Sequence, residues 1–284
     1  MLRYILMNAW RFPIIKHAWE LPKISADSFV RDSNDNRPIV LCCGDSITHG
    51  HIGYNWVGAL REQDSSKIYV NAGINGDLAW NLNQRLKNAL KCDPDYITIL
   101  IGTNDAMGSQ KIKFIQEYYV QNKGLPQLPS MDWYEKELES MIQYMKSHSH
   151  AKIAISTLPW IGERASDDII GVVKEFNNII KKMASKYDLI LIDFFNHLSQ
   201  FIGDNGSSDP YETTQWRTIR VLRAIILRYV FGQNWNRIGK KYNLKALCDH
   251  IHLNEDAGMI LENEISEFHD QKEHTTRFET ETNR

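Results

Sequence analysis

The sequence predicts an α/β fold, a central parallel sheet sandwiched between helices in three layers, and three observations predict it. Five short runs rich in β-branched residues succeed one another from about residue 38, and helical patterns lie between them. The runs are also apolar on both faces, as strands are when a parallel sheet is covered on both sides.

The elements follow in order. Ile39–Cys43 (IVLCC) reads as the first strand, Trp56–Gln63 as the first helix, Lys67–Ala72 as the second strand and Leu78–Leu90 as the second helix. Asp95–Gly102 is the third strand, Trp133–Lys146 the next helix and Lys152–Thr157 the fourth strand. In the helix Asp168–Lys186, Ile169, Val172, Val173, Phe176, Ile179, Ile180 and Met183 recur at three- and four-residue steps, which makes one apolar face. Leu189–Phe195 is the fifth strand.

Residues 1–37 are expected to form an N-terminal arm and 38–268 the domain itself. A basic helical insertion at about 204–247 breaks the alternation: Trp216 to Lys245 holds eight Lys or Arg and no Asp or Glu. In WRTIRVLRAIILRYVF, Arg217, Arg220, Arg223 and Arg228 fall on one side of a helix, and Ile219, Leu222, Ile226 and Val230 mark another. Such a helix reads either as packed on the core with a solvated arginine face, or as a lid that meets anionic lipid head groups. The tail is rich in Glu and thin in apolar residues; fraying is expected after Glu262 and disorder over 269–284.

Composition narrows the function. With 284 residues and 43% hydrophobic content the chain can bury a sizeable core. Its 33 Lys plus Arg against 35 Asp plus Glu give a formal charge of −2, which argues against a surface built for nucleic acid. Cys42, Cys43, Cys92 and Cys248 form no C-x-x-C pair and read as reduced, buried thiols. Asn8 and Arg11 interrupt the apolar N-terminus, no segment approaches ~18 apolar residues, and a soluble cytoplasmic protein is expected.

Ligands of parallel sheets gather where the strands end at their carboxyl edge. There the sequence places GDS at Gly44–Ser46, NAGINGD at Asn71–Asp77 and GTND at Gly102–Asp105, and CDHIHLN follows at Cys248–Asn254. A serine is a poor nucleophile until a base takes its proton, and the base needs an acceptor that fixes its tautomer. Asp249 and His252, three residues apart, can share a face and supply that pair to Ser46. A tetrahedral intermediate also needs donors at its oxyanion: the backbone N–H of Ser46, a glycine N–H and the Asn104 amide.

These four blocks resemble the SGNH (GDSL-type) hydrolase family of esterases, lipases, thioesterases and carbohydrate deacetylases. The resemblance implies a flavodoxin-like sheet and a reaction through an acyl-enzyme, with Ser46 as nucleophile, His252 as base, Asp249 as its orienting acid and no cofactor. In the second block it favours Gly76 over Gly73 as the oxyanion donor beside Ser46 and Asn104. Trp160, after the fourth strand, and Arg220, on the basic helix, are the candidate substrate contacts. The chain departs from the family in its extra histidines, His49, His51 and His250, and in the long stretch before the Asp-His block. A metal site built from His49, His51, His250 and His252 with Asp45 and Asp249 would leave Ser46, Gly76 and Asn104 unexplained, and no metal is assigned. No G-x-S-x-G, Walker loop or G-x-G-x-x-G occurs. The expected reaction is hydrolysis of a carboxylic ester, with a thioester or an O-acetylated carbohydrate as alternative substrates. A silent protein that binds lipid or a partner through the insertion is the non-enzymatic alternative.

Overall fold

The computed structural model describes residues 13–18, 20–203, 206–211 and 216–270. In chain order these form α1 (Pro13–Ala18), β1 (Ile39–Gly44), α2 (Ser46–His49), α3 (Trp56–Gln63), β2 (Ile68–Gly73), α4 (Ala79–Ala89), β3 (Tyr96–Leu100), α5 (Thr103–Ser109), α6 (Lys113–Lys123) and α7 (Met131–His148). They continue as β4 (Lys152–Ser156), α8 (Asp168–Tyr187), β5 (Ile190–Ile192), α9 (Phe194–Ile202), α10 (Trp216–Tyr229), α11 (Trp235–Lys240) and α12 (Glu255–Asp270).

All strand pairs are parallel, in the order β2-β1-β3-β4-β5. The order reverses between β1 and β3, the place where open α/β sheets bind their ligands. Both strands are buried along their whole length, as their continuous apolar sequence requires. Short connections end in side-chain caps: Asn55 accepts from the N–H of Gly58 ahead of α3, and Ser130 from that of Trp133 ahead of α7.

Three expectations are corrected. The fifth strand is only three residues long, and Phe194 and Phe195 open α9 instead of continuing it. β5 is an edge strand with Ile190 and Leu191 exposed, whereas Phe194, Phe195, Leu198 and Ile202 bury one face of a helix; a short apolar run does not by itself distinguish the two. Fraying does not begin after Glu262, because Leu261, Ile265 and Phe268 recur at helical spacing and α12 buries them, with Phe268 edge-on to Tyr96. Of the tail 269–284, where disorder was expected, His269 and Asp270 instead close α12, and 271–284 lie outside the described residues.

The basic helix α10 is also turned differently from the reading of its wheel. It buries Ala224 and Ile225, the latter against Ala18 and Ile52, while Ile226 and Val230 are 40% and 49% exposed. Its described arginines are not a bare solvated face. Arg220 and Arg223 lie over the Tyr242 ring and Arg228 over that of Trp235. Within the described part of the expected arm, Ile24–Ala26 docks on the β2 edge of the sheet, where Ala26 donates to Asn71 O and Asn71 donates to Ile24 O.

Candidate active site

The first three strands end level. Gly44 at the end of β1 lies opposite Gly73 of β2 and opposite Leu100 of β3, so the residues that follow each strand emerge at one edge. Ser46 opens α2 directly after β1. The Asp45 carboxylate accepts the N–H of Ile47 at 3.0 Å, Trp56 Nε1 donates to Ile47 O at 3.1 Å, and Asn71 Nδ2 donates to Thr48 O at 2.8 Å. The turn that carries Ser46 is thus held from three directions. Burial pushes the Asp45 carboxyl up to about 7, against the pull of the Ile47 N–H and the charge of His252.

The Asp-His block forms a tight reversal. Leu247 and Leu253 bridge antiparallel, Cys248 donates to His252 O at 2.8 Å, and Asn254 donates to Ala246 O at 2.8 Å. Inside it, Asp249 Oδ1 accepts the N–H groups of Ile251 and His252 at 3.0 and 2.9 Å, and Oδ2 accepts from His252 Nδ1 at 2.7 Å. A carboxylate only accepts, so Nδ1 carries the ring proton and Nε2 is left as the acceptor. That Nε2 lies 2.9 Å from Ser46 Oγ. Burial raises the Asp249 carboxyl, but the charge of His252 and the hydrogen bonds from His252 and Ile251 outweigh it and hold the group below its ordinary value.

Two neighbours fix this reversal. The buried Glu163 carboxylate, in the loop after β4, accepts three backbone N–H groups, from Lys245, Ala246 and Leu247, at 2.7 to 2.8 Å. Gly53, at φ +87°, brings its backbone so close that a Cβ there would stand 2.7 Å from Leu253 O and 3.0 Å from His252 Cβ. Neither residue belongs to a recognised block.

Asn104, on α5, donates from Nδ2 to Asp77 O at 3.0 Å and makes a longer contact of 3.4 Å with Asp45 Oδ2. Its Oδ1 accepts the Tyr119 hydroxyl at 2.8 Å. Of the two glycines, Gly73 has its N–H bonded to Asn71 Oδ1 at 2.8 Å, and a Cβ on it would meet His49 N at 2.2 Å. Gly76 sits at φ +75° in the next turn, with the Lys123 side chain beside it. Asp77 there accepts Arg85 Nε at 2.9 Å and Lys123 Nζ at 2.6 Å.

The two expected substrate contacts both have partners within the protein. Trp160 is buried, stacked on Phe195, with Nε1 donating to Ser199 Oγ at 2.8 Å. Arg220 reaches Asp209 Oδ2 at 2.7 Å and touches His250 Nε2, so it joins α10 to the Asp-His reversal. The extra histidines also have local partners. His49 Nε2 lies 3.2 Å from His51 Nδ1, and burial, reinforced by His51, drops the His49 imidazole to about 4. All four cysteines are free and buried. Among the described residues no helix is long and apolar enough to cross a membrane.

The model of the GDSL-like lipase/acylhydrolase family matches residues 42–216. The chain belongs to that family. As a member it is a serine hydrolase acting on esters. The match ends before Cys248–Asn254, so the Asp-His block rests on its motif and geometry. No curated relative matches the sequence. Among solved structures, a catalytic mutant of Axe2, an acetylxylan esterase from Geobacillus stearothermophilus, is 19% identical with TM-score 0.53, covering 80% of this chain and 92% of that one. The acetyl xylan esterase AlAXEase is 20% identical with the same TM-score, covering 81% and 98%. At this identity they establish the fold of the GDSL-like chain, a flavodoxin-like sheet flanked by helices.

Proposed function

We propose that this hydrolase cleaves carboxylic esters through a Ser46-His252-Asp249 triad and an acyl-enzyme. The observation that carries the reading is the unbroken relay from Asp249 Oδ2 to His252 Nδ1 at 2.7 Å and from His252 Nε2 to Ser46 Oγ at 2.9 Å. His252 takes the Ser46 proton as Oγ attacks the ester carbonyl. The oxyanion is met by the N–H groups of Ser46 and Gly76 and by Asn104 Nδ2. His252 returns its proton to the leaving alcohol, then activates the water that releases the acid.

An O-acetylated carbohydrate is the second reading of the substrate. It is favoured by two folds of like topology whose proteins are acetylxylan esterases and by the burial of the reacting groups: Ser46 is 7% and His252 5% exposed, which suits a short acyl group. Peripheral contact with an anionic membrane is proposed for α10, on the strength of Ile226, Val230 and Phe231 exposed among cations.

A fluorophosphonate probe tests the triad. The wild type should label at Ser46 and Ser46→Ala should not; a folded wild type that stays unlabelled would mark a silent binder. A panel of acetyl to palmitoyl esters, thioesters included, run with and without anionic vesicles, ranks the substrates.

A further inference from the structure

We propose that α6 is the brace of the oxyanion hole, with Tyr119 and Lys123 as positioning residues that each grip the acceptor end of an amide whose donor end faces the developing charge. The inference rests on the roles given above to Gly76 and Asn104. It concerns a helix that lies outside all four sequence blocks.

The two contacts share one logic. Tyr119 donates its hydroxyl to Asn104 Oδ1 at 2.8 Å, and both groups are buried. The Asn104 side chain is a planar amide, so holding Oδ1 fixes where Nδ2 and its two protons point. Nδ2 itself donates to Asp77 O at 3.0 Å and makes a longer contact of 3.4 Å with Asp45 Oδ2. Lys123 Nζ donates to Asn75 O at 2.9 Å. That carbonyl belongs to the peptide unit whose N–H is the N–H of Gly76. In a planar trans peptide the C=O and N–H point in opposite directions, so anchoring the oxygen sets the direction of the proton. A cation on the oxygen also polarises the unit and makes its N–H a stronger donor.

Geometry explains why one helix does both. Tyr119 and Lys123 are four residues apart and therefore lie on the same face of α6, one turn from each other. Lys123 is the last residue of the helix before Gly124, which is left-handed at φ 63°. Its ammonium is further fixed by Asp77 Oδ1 at 2.6 Å, and its carbonyl accepts Asn81 Nδ2 at 2.9 Å. Donors to an oxyanion lower the barrier only when they are held in place before the charge develops, so the brace should act on turnover rather than on substrate binding.

The test is a mutant cycle on p-nitrophenyl acetate with Tyr119→Phe, Lys123→Met, Lys123→Arg and Asn104→Ala. Misaiming a donor costs less than deleting it, so Tyr119→Phe and Lys123→Met should each lower kcat about tenfold with KM changed less than about twofold. Lys123→Arg should recover most of the loss. In the Asn104→Ala background Tyr119→Phe should have no further effect, since the group it aims is gone. Unchanged kcat in both folded single variants overturns the proposal. So does a Tyr119→Phe loss that persists at full size in Asn104→Ala, since it would then act elsewhere. If Lys123→Met does not fold, the near-isosteric Tyr119→Phe and its cycle decide alone. Full activity in Ser46→Ala would instead overturn the reading of the site itself.

Discussion

His252 Nε2 lies 2.9 Å from Ser46 Oγ although 206 positions separate them in the chain. Two devices create that meeting: the level ends of β1, β2 and β3 present the serine, and the Cys248–His252 reversal presents the imidazole. Each can be broken separately.

Asp249→Asn should fold and lose kcat by about 10⁴-fold, the scale of the corresponding change in a serine protease. An amide at this position can offer its N–H₂ to Nδ1 and so favour the tautomer whose Nε2 carries the proton. Steady-state kinetics with a melting curve as the folding control checks it; wild-type turnover in the variant would remove Asp249 from the mechanism.

Asn104→Ala should lower kcat about 10²- to 10³-fold with little change in KM, because Nδ2 is proposed to meet charge only in the transition state. A rise in KM at constant kcat would mean that Asn104 binds the substrate instead.

Glu163→Gln should destabilise the fold by about 1.5–3 kcal/mol and lower kcat/KM. The carboxylate accepts three N–H groups, and the glutamine would turn its own N–H₂ against at least one of them. Chemical denaturation measures the first effect. Unchanged stability would show that water replaces the lost acceptor.

Asp105 should make a contribution to stability that is lost as pH rises from about 4 toward 8, opposed below about pH 6.5 by His49, whose imidazole burial holds at about 4. Burial pushes this carboxyl from an ordinary 3.8 up to about 8, against the N–H of Ala79. Between those values the folded protein keeps a proton that the unfolded chain has released, so the contribution is whole at acid pH and is lost as pH passes the folded value. Asp105→Asn should therefore make the slope of Tm against pH less negative than in the wild type between about pH 5 and pH 8, leaving the contributions of Asp45 and Glu163 and the opposing one of His49. An undiminished slope in the variant would rule out Asp105 as its source.

The sequence made the sheet legible because β1 to β4 are buried apolar runs with few competing conformations. Helix α3 has the same limits in sequence and structure, since Asn55 caps its start. The meeting of Ser46, Asp249 and His252 could be read because each sits in a short motif of fixed spacing. Glu163, Tyr119 and Lys123 could not. Each acts through a backbone or amide group far away in the chain, and nothing near it in sequence reveals the partner. The orientation of α10 was missed for a related reason. A helix wheel shows that apolar and basic sides exist, but which side is covered depends on α1, Tyr242 and Trp235. Trp160 turns inward, where Ser199 takes its N–H, because an indole after a strand end can pack on the core as readily as face a pocket.

Glu163 has one more property. Its carbonyl accepts Ser207 N at 2.7 Å while its carboxylate holds Lys245, so a single residue pinches together both ends of the excursion that carries α10 and α11. That excursion is therefore anchored at its root by one residue. Through Arg220 against His250 and Tyr229 against His51 O, its helix α10 also leans on both chain segments that carry the serine and the imidazole.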